Sequence, residues 1–147
     1  MKPEYLLISH CKAQREYIQK VCESLQALNA ILAKANAHVG YRVRDEICFY
    51  MLNNKNSGLL AEDAAMDNEI MQKILPRIQG SSNQIREMLC DLFKYCAGDY
   101  TGYDSSSDYE AMKTYLQNKG GKYRSSAEKI MSMVRRFDED GFTSYWI

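Results

Sequence analysis

The sequence predicts an all-α protein, a multi-helix bundle, and three observations carry that expectation. Apolar residues recur at three- and four-residue intervals along most of the chain, the spacing of one helix face. Clusters of Asn, Ser and Gly punctuate those stretches, where side chains compete for the backbone or leave it too free for a helix interior. No segment longer than five residues alternates cleanly between apolar and polar, so any strand is minor.

From about residue 12 to residue 36, Ile18, Val21, Cys22, Leu25, Leu28, Leu32 and Ala35 form the stripe of a long first helix. After a break at 36–40, a second helix is predicted from Tyr41 to about Asn53, with Val43, Ile47, Tyr50 and Met51 inward and NNKNSG as its end. A third helix is predicted from about Leu60 to Ile78. Pro76 lacks an amide donor and crowds the carbonyl four residues back, so the helix is expected to kink or stop near Leu75.

Gly80 closes that segment, and Ser81 with Gln84 has the spacing of a capping box for a fourth helix carrying Ile85, Met88, Leu89, Leu92, Phe93 and Cys96. Residues 97–107, AGDYTGYDSSS, read as the longest loop and divide the chain. Beyond it, Ser107 with Glu110 is expected to cap a short fifth helix ending at Gly120 and Gly121. Ser125 with Glu128 is expected to cap a sixth, carrying Ile130, Met133, Val134 and Phe137 up to Gly141. The expected organisation is a bundle over 1–97 with a helical extension over 98–147 packed on it, and Leu25, Leu28, Ile47, Ile74, Leu89 and Leu92 sharing one core. The tail FTSYWI is too apolar to leave in water. It is expected to pack back on the helices or to offer Phe142, Tyr145 and Trp146 to a partner.

Composition narrows the function classes. In 147 residues, 46% hydrophobic and 26% charged, one core is the natural outcome. Nineteen basic and nineteen acidic residues cancel, so no global field draws the protein to nucleic acid or anionic lipid, and any anion site must be local. MKPEYLLISH has no signal-peptide core, no apolar run would span a bilayer, and the five cysteines are odd in number without a CxxC pair. A reduced, cytoplasmic setting with free thiols is the expectation, without membrane contact. Two histidines and dispersed cysteines offer no metal-ligand spacing.

No GxxxxGK[ST], GxSxG or HExxH is present, so the chain is not expected to be an enzyme by itself, and no catalytic residue is assigned. Asp63, Asp67 and Glu69 read as the solvated face of the third helix. Lys119, Lys122, Tyr123 and Arg124 form a small basic turn that reads as surface. Arg42 and Arg44 stand out, because a helix N-terminus favours acids; two arginines there suggest either an anionic partner outside the domain or ion pairs with Asp45, Glu46 or a neighbouring helix on a solvated face.

At GYRVRDEICFYM, DNEIMQKILPRIQGSSNQIREML and RSSAEKIMSMVRRFDEDGFTSYWI, the chain resembles the C-terminal part of AAA+ nucleotidases of the McrB type, dynein-related members found in restriction systems. The resemblance covers roughly residues 25–147. It implies a helical lid that completes a nucleotide site built by an upstream AAA+ core carrying the Walker motifs absent here, and that relays hydrolysis. It implies ATP or GTP with magnesium for the parent and no cofactor in this fragment. Implied partners are that core, neighbouring subunits of a ring and a nuclease subunit.

The resemblance makes Arg42 the first choice for the sensor-two arginine that reaches the terminal phosphates. Arg44 lies about 200° further around a helix, so both cannot meet one phosphate. A second placement uses the glycine-led start at Gly80, where Asn83 occupies the arginine position and Arg86 stands one turn on. The competing expectations are a stand-alone helical protein-interaction module using the tail, and a nucleic-acid adaptor using 119–124 with Arg135 and Arg136, which zero net charge disfavours.

Overall fold

A computed structural model describes residues 8–98 and 109–146. The chain is all-α, with a two-stranded ribbon as its one departure among these residues. Helix α1 spans Ile8–Leu32 and runs into a 3-10 turn, Ala33–Ala35, which stops where Asn36 takes the left-handed conformation at φ 57°. Helix α2 is Tyr41–Ser57, closed by Gly58 at φ 67°. Helix α3 is Glu62–Glu69. Helices α4, Asn83–Ala97, α5, Tyr109–Lys119, and α6, Arg124–Asp140, complete the set. Strands β1, Gln79–Gly80, and β2, Thr143–Ser144, pair antiparallel, Gln79 opposite Ser144 and Gly80 opposite Thr143.

Helix α4 packs chiefly on α6, α1 on α2 and α4, and α5 on α6. One hydrophobic cluster joins them. Leu25, Leu28, Ile47, Ile74, Leu89 and Leu92, the residues expected to share a core, all lie in it, together with Phe93, Met112, Ile130, Met133 and Val134. The core therefore draws on both sides of the boundary expected at residue 97. Loss of exposed apolar area on this scale, about 1.5–3 kcal/mol for each fully buried large aliphatic side chain, is what holds short helices that would not persist alone.

Several local expectations are corrected. Helix α2 continues through Asn53–Ser57, because the amide of Asn54 turns inward and bridges to the backbone of Leu60: Nδ2 donates to its carbonyl at 3.0 Å and Oδ1 accepts from its N–H at 3.0 Å. A buried asparagine with both ends satisfied does not break the helix. The third helix stops being α at Glu69. It widens into a π turn, Ile70–Ile74, and tightens to 3-10 over Leu75–Arg77, so the expected disturbance near Leu75 is a change of winding that accommodates the proline without a donor at 76.

The N-cap of α4 is Ser82, not Ser81: its hydroxyl accepts from the Ile85 amide at 3.3 Å. Gly80, at φ 141°, takes a backbone conformation that favours glycine, and a Cβ there would fall 2.3 Å from Ile85 Cδ1. Ser125 and Glu128 form no capping box either. Tyr123 is the N-cap of α6, and the acceptor is Asp67 of α3, whose carboxylate takes the amides of Ser125 and Ser126 at 2.9 and 2.8 Å. The loop from residue 99, Ser107 and Ile147 lie outside the described residues.

Candidate functional site

Between α1 and the start of α2 lies a cleft of about 450 Å³, lined by Cys22, Leu25, Gln26, Asn29, His38, Val39, Gly40, Tyr41 and Arg44. Its shape is set by Asn29. The Asn29 amide donates to the Val39 carbonyl at 3.1 Å and its oxygen accepts from the Val39 N–H at 2.8 Å, which fastens the 36–40 connection to the side of α1. Val39 is buried by that arrangement, and Gly40 becomes the N-cap of α2 in extended geometry. Glycine offers no side-chain acceptor, so no side chain caps the positive end of α2.

The two arginines near this end behave differently. Arg42 is 94% exposed, and the distance from its Nε to Glu46 Oε1 is 3.9 Å. The same carboxylate is held at 3.3 Å by Lys73 from the π turn, so Glu46 is shared and only a loose partner for Arg42. Arg44 lies over the Tyr41 ring, 4.7 Å from its centroid, and donates through Nε and Nη2 to Asp45 at 3.2 and 3.0 Å. Its hydrogen bond with Asp45 raises its pKa further, so the guanidinium stays charged at the mouth of the cleft.

Arg86 is elsewhere. On α4 it makes a two-pronged pair with Asp138 of α6, Nε to Oδ1 at 2.7 Å and Nη2 to Oδ2 at 3.0 Å, and its Nη1 points to Cys90 Sγ at 3.6 Å. It is a tie between the two most closely packed helices, far along the chain from the α2 start. Asn83 is the first residue of α4.

The tail divides in two. Thr143 is fully buried, its hydroxyl donating to the Met133 carbonyl at 2.8 Å, and Tyr145 packs against the core with Lys129 Nζ 4.6 Å over its ring. Phe142 and Trp146 are 41% and 73% exposed. Other exposed large apolar side chains, Tyr41, Phe49, Leu59 and Leu60, belong to α2 and the connection after it.

The acids of α3 do not form a solvated face as expected. Asp63 is exposed, but Asp67 is buried as the cap of α6, and Glu69 is 2% exposed, with burial raising its carboxyl above the usual range. Tyr123 of the basic turn is likewise interior, stacked on Tyr95 with centroids 5.9 Å apart, while Arg124 pairs with Glu128 at 3.7 Å. Arg135 and Arg136 make loose i,i+4 pairs with Glu139 and Asp140 at 3.9 and 4.0 Å.

Sequence reasoning missed the cleft, both asparagine clamps and the trans cap by Asp67. Each depends on a polar side chain meeting backbone at a distance in sequence that no local spacing encodes. No group of three or more His, Cys, Asp or Glu is arranged to hold a metal among the described residues, and no helix there is long and apolar enough to cross a membrane. In comparison with known proteins, a family model described as "Domain of unknown function (DUF8727)" matches residues 2–142. No curated protein and no solved structure matches the chain.

Proposed function

This chain belongs to the DUF8727 family, whose description carries no function, and we propose from the geometry of the α2 start that it acts as a helical lid, closing on a nucleotide whose phosphates are cradled by an AAA+ core on another part of the polypeptide. The observation that carries this reading is Arg42: an always-charged, forked donor at the first turn of α2, 94% exposed and loosely partnered. A residue meant to meet a phosphate outside its own domain must remain uncommitted within it. The uncapped end of α2 adds partial positive charge at the same place, and Arg44 adds a second guanidinium at the cleft. Magnesium would be held by the core, since the lid's contribution is charge and closure.

The test is a titration of the isolated chain with Mg·ATP, Mg·GTP and inorganic triphosphate, followed by amide chemical shifts. Weak binding, with a Kd of roughly 1 mM, is expected, with shifts confined to residues 38–46 and lost in Arg42→Ala. No shift at any concentration reached, or shifts centred elsewhere, would remove the proposal.

A second reading, an interaction module, is favoured by Trp146, 73% exposed beside an otherwise anchored tail. It predicts a partner whose capture is lost in Trp146→Ala and is indifferent to nucleotide.

A further inference from the structure

Cys22, Cys48, Cys90 and Cys96 are free thiols, and their surroundings separate them. Cys90 and Cys96 are fully buried in the core. Cys22 on α1 and Cys48 on α2 instead face each other across the helix interface, their sulfurs 3.6 Å apart. Cys22 is partly exposed and lines the cleft that also holds His38 and Arg44, whereas Cys48 lies behind it at 6% exposure, one turn beyond Arg44 on α2.

We propose that Cys22 and Cys48 are a dithiol that a low-molecular-weight disulfide oxidises to an intramolecular disulfide, a covalent tie between α1 and α2 at the floor of the cleft. The geometry comes close to that product. A disulfide bond is about 2.05 Å long, so about 1.5 Å remains to be closed, a distance within the reach of side-chain torsion.

The steps balance. The Cys22 thiol loses its proton, and its sulfur attacks one sulfur of the reagent, RSSR; the reagent's S–S bond breaks, leaving Cys22–S–SR and one RS⁻. Cys48 then loses its proton and attacks the Cys22 sulfur, forming the Cys22–Cys48 bond and releasing the second RS⁻. Two protein thiols are oxidised and one RSSR is reduced to two RSH. The order follows from access, because only Cys22 opens on the cleft. Burial pushes the Cys48 thiol up to about 12, which also makes it the resolving thiol and not the first to attack. This inference does not depend on the lid reading, since it uses only the contact between α1 and α2.

The experiment oxidises the full chain with oxidised glutathione, then alkylates, digests with trypsin and maps the peptides by mass. The expected product links peptide 21–34 to peptide 45–55, forms at a rate independent of protein concentration, and accumulates after a transient glutathione adduct on Cys22. In Cys48→Ala the adduct should be the end point. Oxidised wild-type chain should also show a raised denaturant midpoint that returns on reduction. A stable Cys22 adduct in the wild type without the linked peptides, or a dominant link between other cysteines or between chains, would overturn the proposal. The wild-type peptide map decides this even where the alanine variant folds poorly.

Discussion

Asp67 and Ser126 lie 59 residues apart and hold each other at two points, and the neighbouring Ser125 adds a third. The Asp67 carboxylate accepts from the backbone amides of Ser125 and Ser126, and the Ser126 hydroxyl donates to the Asp67 carbonyl at 3.1 Å. The Asp67 carboxylate thus stands at the positive end of α6 and replaces a local cap. Asp67→Ala leaves the buried Ser126 amide and the partly buried Ser125 amide without acceptors and is expected to cost about 2 kcal/mol. Asp67→Asn, which keeps one acceptor, should cost about 1 kcal/mol. Urea denaturation of the three proteins checks this order; equal midpoints for wild type and Asp67→Ala would rule it out.

The two asparagine clamps make a second prediction. Asn29 and Asn54 each hold both the N–H and the C=O of a residue in the connection that follows, Val39 and Leu60 respectively. Replacing either by Asp keeps the acceptor and removes the donor, leaving a carbonyl unpaired, at about 1–2 kcal/mol. Amide exchange offers a local reading: in Asn29→Ala the Val39 amide should lose protection while that of Leu60 does not, and in Asn54→Ala the reverse.

These contacts also explain what the sequence made legible. The period of the stripes was enough to place the helices and the shared core, because an amphipathic face has essentially one way to be buried. Boundaries were less legible wherever a polar side chain acts at long range. NNKN reads as a helix end until Asn54 meets Leu60, and Ser125 with Glu128 reads as a cap until Asp67 takes the place of acceptor. The resemblance sets Arg42 ahead of Arg44 and Arg86, but no local spacing reveals which of them is already committed within the fold. That is shown by the pairing of Arg86 with Asp138, that of Arg44 with Asp45, and the sharing of Glu46 between Arg42 and Lys73.

Glu69 gives a pH-dependent prediction. Its carboxyl is 2% exposed at the junction of α3 with the π turn, and burial raises its pKa, with Lys73 opposing the shift and Glu46 adding to it. An acid whose folded pKa lies above its unfolded value, about 4.3 for glutamate, stabilises the fold fully below that unfolded value. That contribution is lost as pH rises through the folded pKa. Glu69→Gln removes the charge, so it should raise the denaturant midpoint at pH 7 to 8. The gain over wild type should shrink on acidification and vanish near pH 4, where both side chains are neutral. A gain that does not vary with pH would assign the effect to packing instead.

Arg86 and Arg42 should separate cleanly when both are tested in one series. Arg86 joins α4 to α6 through two short bonds with its side chain 19% exposed, so Arg86→Ala strands Asp138 and loses packing at that interface. A double-mutant cycle with Asp138→Ala should show a coupling of about 1 kcal/mol. Arg42→Ala removes only the loose pair with Glu46, and the midpoint should stay nearly where it is. The nucleotide response should divide the other way: Arg86→Ala, where folded, keeps the shifts at residues 38–46, and Arg42→Ala loses them. Neither variant, nor the wild type, is expected to hydrolyse nucleotide alone, because positioning and charge stabilisation without a phosphate cradle do not lower the barrier. If Arg42→Ala unfolds the domain, or if its shifts persist while Arg44→Gln abolishes them, the phosphate contact passes to Arg44. The role of the α2 start would then rest on the cleft instead of the exposed first turn.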